Sequence, residues 1–256
     1  MKYLIVSGDS FTDPNFRSSA IPSLDTSWPK WPEMLAEKLG MECINLAKCG
    51  KGNEFIYSTL QDQIISMPNK DEIGLVIAAW SQCQRRDYQL GGHYESLHES
   101  HDDFTNSNWW DQRVDTKGDL VYWIRRSLRY YTAFEILCER YNIPYAHTQM
   151  IDLYSDYVNG GIGGKLNGEG PAYNGNYEKD EKKILKLILS YDKIIDTSKF
   201  IGWPLTKKLG GNPLNREAFG EFEEDGLEWI IDLHIDNHPN AAGQVKLAEA
   251  MYDRLG

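Results

Sequence analysis

Tyr3-Leu4-Ile5-Val6-Ser7-Gly8-Asp9-Ser10-Phe11-Thr12-Asp13 decides the architecture of this chain. The apolar run over residues 3–6 predicts a buried strand, which the chain leaves abruptly at Gly8-Asp9-Ser10. Glycine accepts backbone angles that other residues avoid. Asp and Ser side chains bond nearby backbone groups in place of a ladder partner. The hydroxyl of Ser10 therefore belongs at the carboxyl end of a first strand, where open α/β sheets gather their ligands. Three small or polar residues after a strand are also an ordinary strand-to-helix turn, so this stretch needs a partner elsewhere.

Moving outward, strand and helix patterns alternate. A helix is expected over residues 31–40, with Pro32 in its first turn, and a second strand over 42–46. A helix follows from the Gly50-Lys51-Gly52-Asn53 region to about Met67, with Phe55, Ile56, Leu60 and Ile64 at helical spacing. Residues 73–80 are continuously apolar, as suits a parallel strand covered on both faces. Residues 121–141 carry a single apolar face from Ile124 through Leu128, Tyr131 and Phe134 to Leu137. A fourth strand is expected over 144–150, a helix over 181–189, a weak strand near 193–196 and a last helix over 241–255. This alternation predicts an α/β fold: three layers, α/β/α, around a mostly parallel, doubly wound sheet of about five strands. The 256 residues are read as one domain, 1–256, with insertions at approximately 83–119 and 155–178.

Composition narrows the function. A net charge of −11 repels phosphate and argues against nucleic acid or an anionic membrane as the main partner. The longest apolar run is too short to span a bilayer, and no signal peptide precedes the first strand, so a cytoplasmic protein is expected. Cys43, Cys49, Cys83 and Cys138 lack any CxxC spacing and are expected to be free thiols in a reducing compartment.

The partner for Ser10 lies near the far end, in Asp236-Asn237-His238-Pro239-Asn240. A serine needs a base to act as a nucleophile at neutral pH, and histidine is the usual one. A carboxylate then fixes the tautomer of the base and stabilises its cation. Asp236 and His238 supply both within three residues. Of the nearby acids, Asp236 suits the role better than Asp232, because side chains at i and i+2 of an extended segment project to the same side.

Together, Gly8-Asp9-Ser10-Phe11 near the start and Asp236-Asn237-His238-Pro239-Asn240 near the end resemble the SGNH (GDSL-type) hydrolase family. The resemblance implies an esterase with catalytic Ser10, Asp236 and His238. It implies an oxyanion hole drawing on the backbone N–H groups of Ser10 and Gly50, with no cofactor and no metal. The family's third donor, an asparagine after the third strand, is absent, and Trp80-Ser81-Gln82 stands in its place. Ser81 is taken as the substitute donor, with Gln82 and Asn53 as alternatives, since all three side chains can donate a hydrogen bond. Trp109, Trp110, Tyr173 and Tyr177 in the insertions suit stacking on a sugar. The expected partner is therefore a small-molecule or carbohydrate ester. A protein that keeps this fold as a binding or structural module without activity is the opposing class.

Two other groupings are weaker. His93, His98 and His101, beside Asp102 and Asp103, have spacing that a folded loop could turn into a zinc site. Their surroundings are polar and aperiodic, so a solvated lid or wall over the site is expected instead. Gly160-Gly161-Ile162-Gly163-Gly164-Lys165 suggests a phosphate loop but has Leu166 where Ser or Thr should bind magnesium. It is read as a flexible loop.

Overall fold

The computed structural model describes residues 1–83, 85, 87, 120–151, 177–201, 214, 228–232 and 235–255. Five parallel strands form the sheet: β1 (Tyr3–Ser7), β2 (Glu42–Asn45), β3 (Ile73–Trp80), β4 (Tyr145–Gln149) and β5 (Phe200–Ile201). Their order is β2-β1-β3-β4-β5. The helices are α1 (Trp31–Leu39), α2 (Asn53–Ser66), α3 (Leu120–Arg140), α4 (Tyr177–Tyr191) and α5 (Ala241–Leu255).

Strand side chains alternate between the two faces, and the cores divide accordingly. Leu4, Val6, Ile77 and Ala79 join Trp31 and Leu35 of α1 and Leu247 and Met251 of α5. Ile5, Val76, Ala78 and Trp80 join α2, α3 and α4 through Ile56, Leu60, Ile124, Leu128, Ile184 and Ile188. The architecture is therefore α/β/α in three layers, as expected. β1 and β3 read as continuous apolar runs because each face of both strands meets a helix layer.

This order has a functional consequence. From β1 the chain crosses to β2 through α1 on one face, then reaches β3 on the other side of β1 through α2 on the opposite face. The crevice beyond the carboxyl ends of β1 and β3 is thus the switch point of a doubly wound sheet. Ser10 follows β1 and Ser81 follows β3.

Two elements differ from expectation. The fifth strand lies at Phe200–Ile201, not at 193–196, where the side chain of Asp196 instead accepts from Ser198 N and starts a short 3-10 turn. Asp236–Pro239, read as a loop, is a strand, β7. It pairs antiparallel with β6 (Ile230–Asp232) in a separate two-stranded ribbon. The expected insertions, with His93, His98, His101, Trp109, Trp110 and Tyr173, fall outside the described residues apart from Cys83, Arg85, Asp87 and the first residues of α4. Among the described residues, no helix is long and apolar enough to cross a membrane. All four cysteines are free thiols, and burial pushes Cys43 and Cys83 up to about 12.

A buried polar relay crosses one core. Trp80 Nε1 donates to His147 Nδ1 at 2.9 Å, and His147 Nε2 lies 3.1 Å from Glu135 Oε1. An indole can only donate, so Nδ1 accepts and the proton sits on Nε2, facing the carboxylate. Burial lowers the basicity of His147 against the opposing pull of Glu135, which suits a neutral, structural ring.

The ribbon is pressed against α5 at Gly243. A Cβ built there would lie 2.0 Å from the backbone carbonyl oxygen of Trp229. We predict that Gly243→Ala destabilises the fold by about 1–3 kcal/mol, the usual range for overpacking, read as a lower midpoint of thermal unfolding. An unchanged midpoint would mean that the ribbon is not held as described.

Candidate active site

The turn after β1 is built by Asp9. Its carbonyl accepts from Thr12 N and Asp13 N, both at 3.0 Å, and its Oδ1 accepts from Phe11 N at 3.1 Å. Gly8 is required by close packing: a Cβ there would meet Thr12 Oγ1 at 2.6 Å. The result is a tight elbow with Ser10 at its apex.

The β7 ribbon brings the other half. His238 Nε2 lies 2.7 Å from Ser10 Oγ, and His238 Nδ1 lies 2.5 Å from Asp236 Oδ1. A carboxylate only accepts, so Nδ1 carries the proton and Nε2 is left to accept from the serine hydroxyl. Asp236 and His238 sit two apart on a strand, which is why both reach the same side. Burial pushes the Asp236 carboxyl up, but bonds from the His238 side chain, Ser18 and the His238 backbone outweigh it and hold the carboxyl below its usual range. Phe11 and Phe16 flank the imidazole, with ring centroids 4.9 and 4.4 Å away. They restrict its rotation. In the sequence Phe11 stands out only as part of the Gly8-Asp9-Ser10-Phe11 motif and Phe16 not at all, although both follow Ser10 closely.

Asp232 is used elsewhere. Its Oδ1 accepts from Ile235 N at 3.0 Å, just before β7.

The loop after β2 is tied to the serine elbow. Lys48 N donates to Gly8 O at 3.2 Å and Cys49 N donates to Asp13 Oδ2 at 2.7 Å. Burial raises the Asp13 carboxyl against the lowering effect of the N–H donors of Asn15 and Cys49. Gly50 has φ 73°, the left-handed region that favours glycine. Among the described residues, neither Gly50 N–H nor Ser10 N–H has an acceptor.

Ser81 differs from expectation. Its hydroxyl lies 2.5 Å from Asp9 Oδ2, and since a carboxylate only accepts, the single hydroxyl proton points to Asp9. It is not available to an oxyanion in this arrangement. Asn53 is similarly engaged: Oδ1 accepts from Ser81 N, and Nδ2 donates to Ser81 O and Ser127 Oγ. Both residues support the elbow from the β3 side.

A base so held can take a proton from Ser10 and return it to a leaving group. We predict that Asp236→Asn loses about 10⁴ in kcat through the wrong tautomer, as in serine proteases, while Asp232→Asn stays near wild type. The reverse ranking in folded variants would remove Asp236 from the role. The lowered Asp236 carboxyl also stabilises the fold above its ordinary value of 3.8. That stability is lost as pH falls through the lower, folded value. Urea unfolding below about pH 4 should therefore narrow the gap between wild type and Asp236→Asn.

No family model matches the chain, and comparison with curated proteins finds no match. Among solved structures, the chain is similar to a G-D-S-L family lipolytic protein from Desulfitobacterium hafniense DCB-2. The identity is 13%, with 99% of each chain covered and a TM-score of 0.49. It is also similar to the psychrotrophic esterase EstA from Pseudoalteromonas sp., at 12% identity, covering 100% of this chain and 97% of that one, with a TM-score of 0.47. A third similar structure is the acetyl xylan esterase AlAXEase, at 15% identity, covering 99% and 100%, with a TM-score of 0.44.

Proposed function

We propose that this chain is a serine hydrolase of the SGNH type that cleaves an ester through an acyl-enzyme on Ser10. The observation that carries the proposal is the hydrogen-bonded line from Ser10 Oγ to His238 Nε2 and from His238 Nδ1 to Asp236 Oδ1. Ser10 Oγ attacks the ester carbonyl as His238 Nε2 takes its proton. Negative charge gathers on the carbonyl oxygen, where the N–H groups of Ser10 and Gly50 receive it. The intermediate collapses, the alcohol leaves with the proton from His238, and water repeats the sequence to release the acid. Asp236 keeps the imidazole oriented and stabilises its cation throughout. No cofactor enters these steps.

The substrate is proposed to be an O-acylated carbohydrate or another small ester. Four aromatic residues of the sequence, Trp109, Trp110, Tyr173 and Tyr177, suit stacking on sugar rings. The free thiols suit a reducing compartment such as the cytoplasm. A second reading, a protein that keeps the fold with little activity, draws on the engaged hydroxyl of Ser81, which leaves backbone N–H groups as the donors.

Turnover of p-nitrophenyl acetate separates the two readings. The hydrolase reading expects wild-type turnover that falls by at least about 10³ in Ser10→Ala and in His238→Ala, as for removal of one member of a working triad. It expects acetylated xylo-oligosaccharides to be cleaved faster than p-nitrophenyl palmitate. Equal residual rates in wild type and Ser10→Ala would favour the inactive reading. A preference for palmitate would overturn the substrate class alone.

A further inference from the structure

We propose that Arg85 is a positioning residue: it neutralises the buried Asp9 carboxylate beside the nucleophile and ties the Ser10 elbow to the Gly50 loop. The inference deepens the hydrolase reading and rests on it.

Asp9 is fully buried and immediately precedes Ser10. A carboxylate there is costly unless paired. It also stands next to the position where a second negative charge would develop during ester cleavage, and like charges repel strongly in a low dielectric. Its Oδ1 serves the elbow backbone and its Oδ2 takes the Ser81 hydroxyl. Both bonds satisfy lone pairs, but neither supplies a positive charge. That charge comes from Arg85, whose Nη1 lies 3.2 Å from Asp9 Oδ2 with only 14% of its side chain exposed.

The same Nη1 donates to Lys51 O at 3.1 Å. Lys51 follows Gly50, as Asp9 precedes Ser10. One guanidinium thus bridges the residues adjoining both proposed oxyanion donors. Arginine suits this place because it keeps its charge and offers several donors on a rigid plane.

Arg85 is itself held from α3 and α2. Arg126 Nη2 donates to Cys83 O at 2.9 Å and to Arg85 O at 2.8 Å. Asp87 accepts from Gly52 N and Phe55 N, both at 2.9 Å, closing the amino end of α2. A Cβ on Gly52 would meet Arg85 Cβ at 2.8 Å, so the segment packs directly on the loop that carries Gly50. The chain just past β3, where the family asparagine is missing, is therefore anchored on both sides of Arg85.

The test is a double-mutant cycle of charge removal, read on p-nitrophenyl acetate, with circular dichroism and thermal unfolding as checks of folding. Arg85→Met should lower kcat about 10- to 100-fold with little change in KM, since the unbalanced charge acts on the transition state. The double variant Asp9→Asn/Arg85→Met should recover to within a few-fold of Asp9→Asn alone, because the charge that needed balancing is gone. Should Arg85→Met fail to fold, Arg85→Lys decides: it keeps the charge and should retain kcat within about tenfold of wild type. Wild-type kcat in Arg85→Met, or a double variant impaired by the product of its single effects, overturns the proposal while leaving the hydrolase reading intact. A loss in Arg85→Lys of about 100-fold or more, with the charge retained, would also overturn it. A wild type that does not turn over the ester sinks the hydrolase reading and this proposal with it.

Discussion

The hydrogen bond between His238 Nε2 and Ser10 Oγ joins residues 228 positions apart, and much of the described structure serves to make it possible. The elbow after β1 must present its apex outward, and the β7 ribbon must stand beside it. Gln244 of α5, the helix that follows the ribbon, ties α1 to the elbow, accepting from Trp31 N at 2.9 Å and donating to Phe11 O at 3.4 Å. α1 and α5 then pack on the same face of the sheet. Closing so long a span costs chain entropy, and the apolar contacts of that layer offset it. Asn240 adds a local anchor, capping α5 through Gly243 N and bonding back to the carbonyls of Glu228 and Ile230.

Strands β1 and β3 were legible in the sequence because they are buried on both faces. Continuous apolar runs such as residues 73–80 have few other interpretations between polar helices. The pairing of Ser10 with Asp236 and His238 was legible for a chemical reason: a serine after the first strand and an Asp-x-His before the last helix complete one another. The β6–β7 ribbon was not legible. Asp236-Asn-His-Pro lacks both alternation and apolar character, and its extended form comes with pairing to Ile230–Asp232 and with the close approach to α5 that Gly243 permits. Phe200–Ile201 is too short for any periodic signal, so the sequence points instead to residues 193–196, where Ile195 is core and Ile194 is exposed.

Ser81 shows where residue chemistry alone falls short. Its type and position after β3 suited an oxyanion donor, but whether a hydroxyl is available depends on what lies within 3 Å of it. Asp9, 72 residues away, takes that proton. The same tertiary logic hid Arg85: a cation in an aperiodic stretch reads as solvated surface, and only the folded chain brings it to a buried carboxylate. His147 is a third case. Its burial against Trp80, Glu135 and the stacked ring of Phe200 at 4.6 Å gives it a core role that its sequence surroundings do not announce.

The central claim is that Ser10 is a nucleophile activated by His238. Its most direct test is reaction of the intact protein with a fluorophosphonate, followed by peptide mass spectrometry. The account predicts a single adduct on Ser10 that is abolished in His238→Ala while the fold is retained. An adduct on a different serine, or an unmodified protein under conditions that fully label a known serine hydrolase, would contradict it.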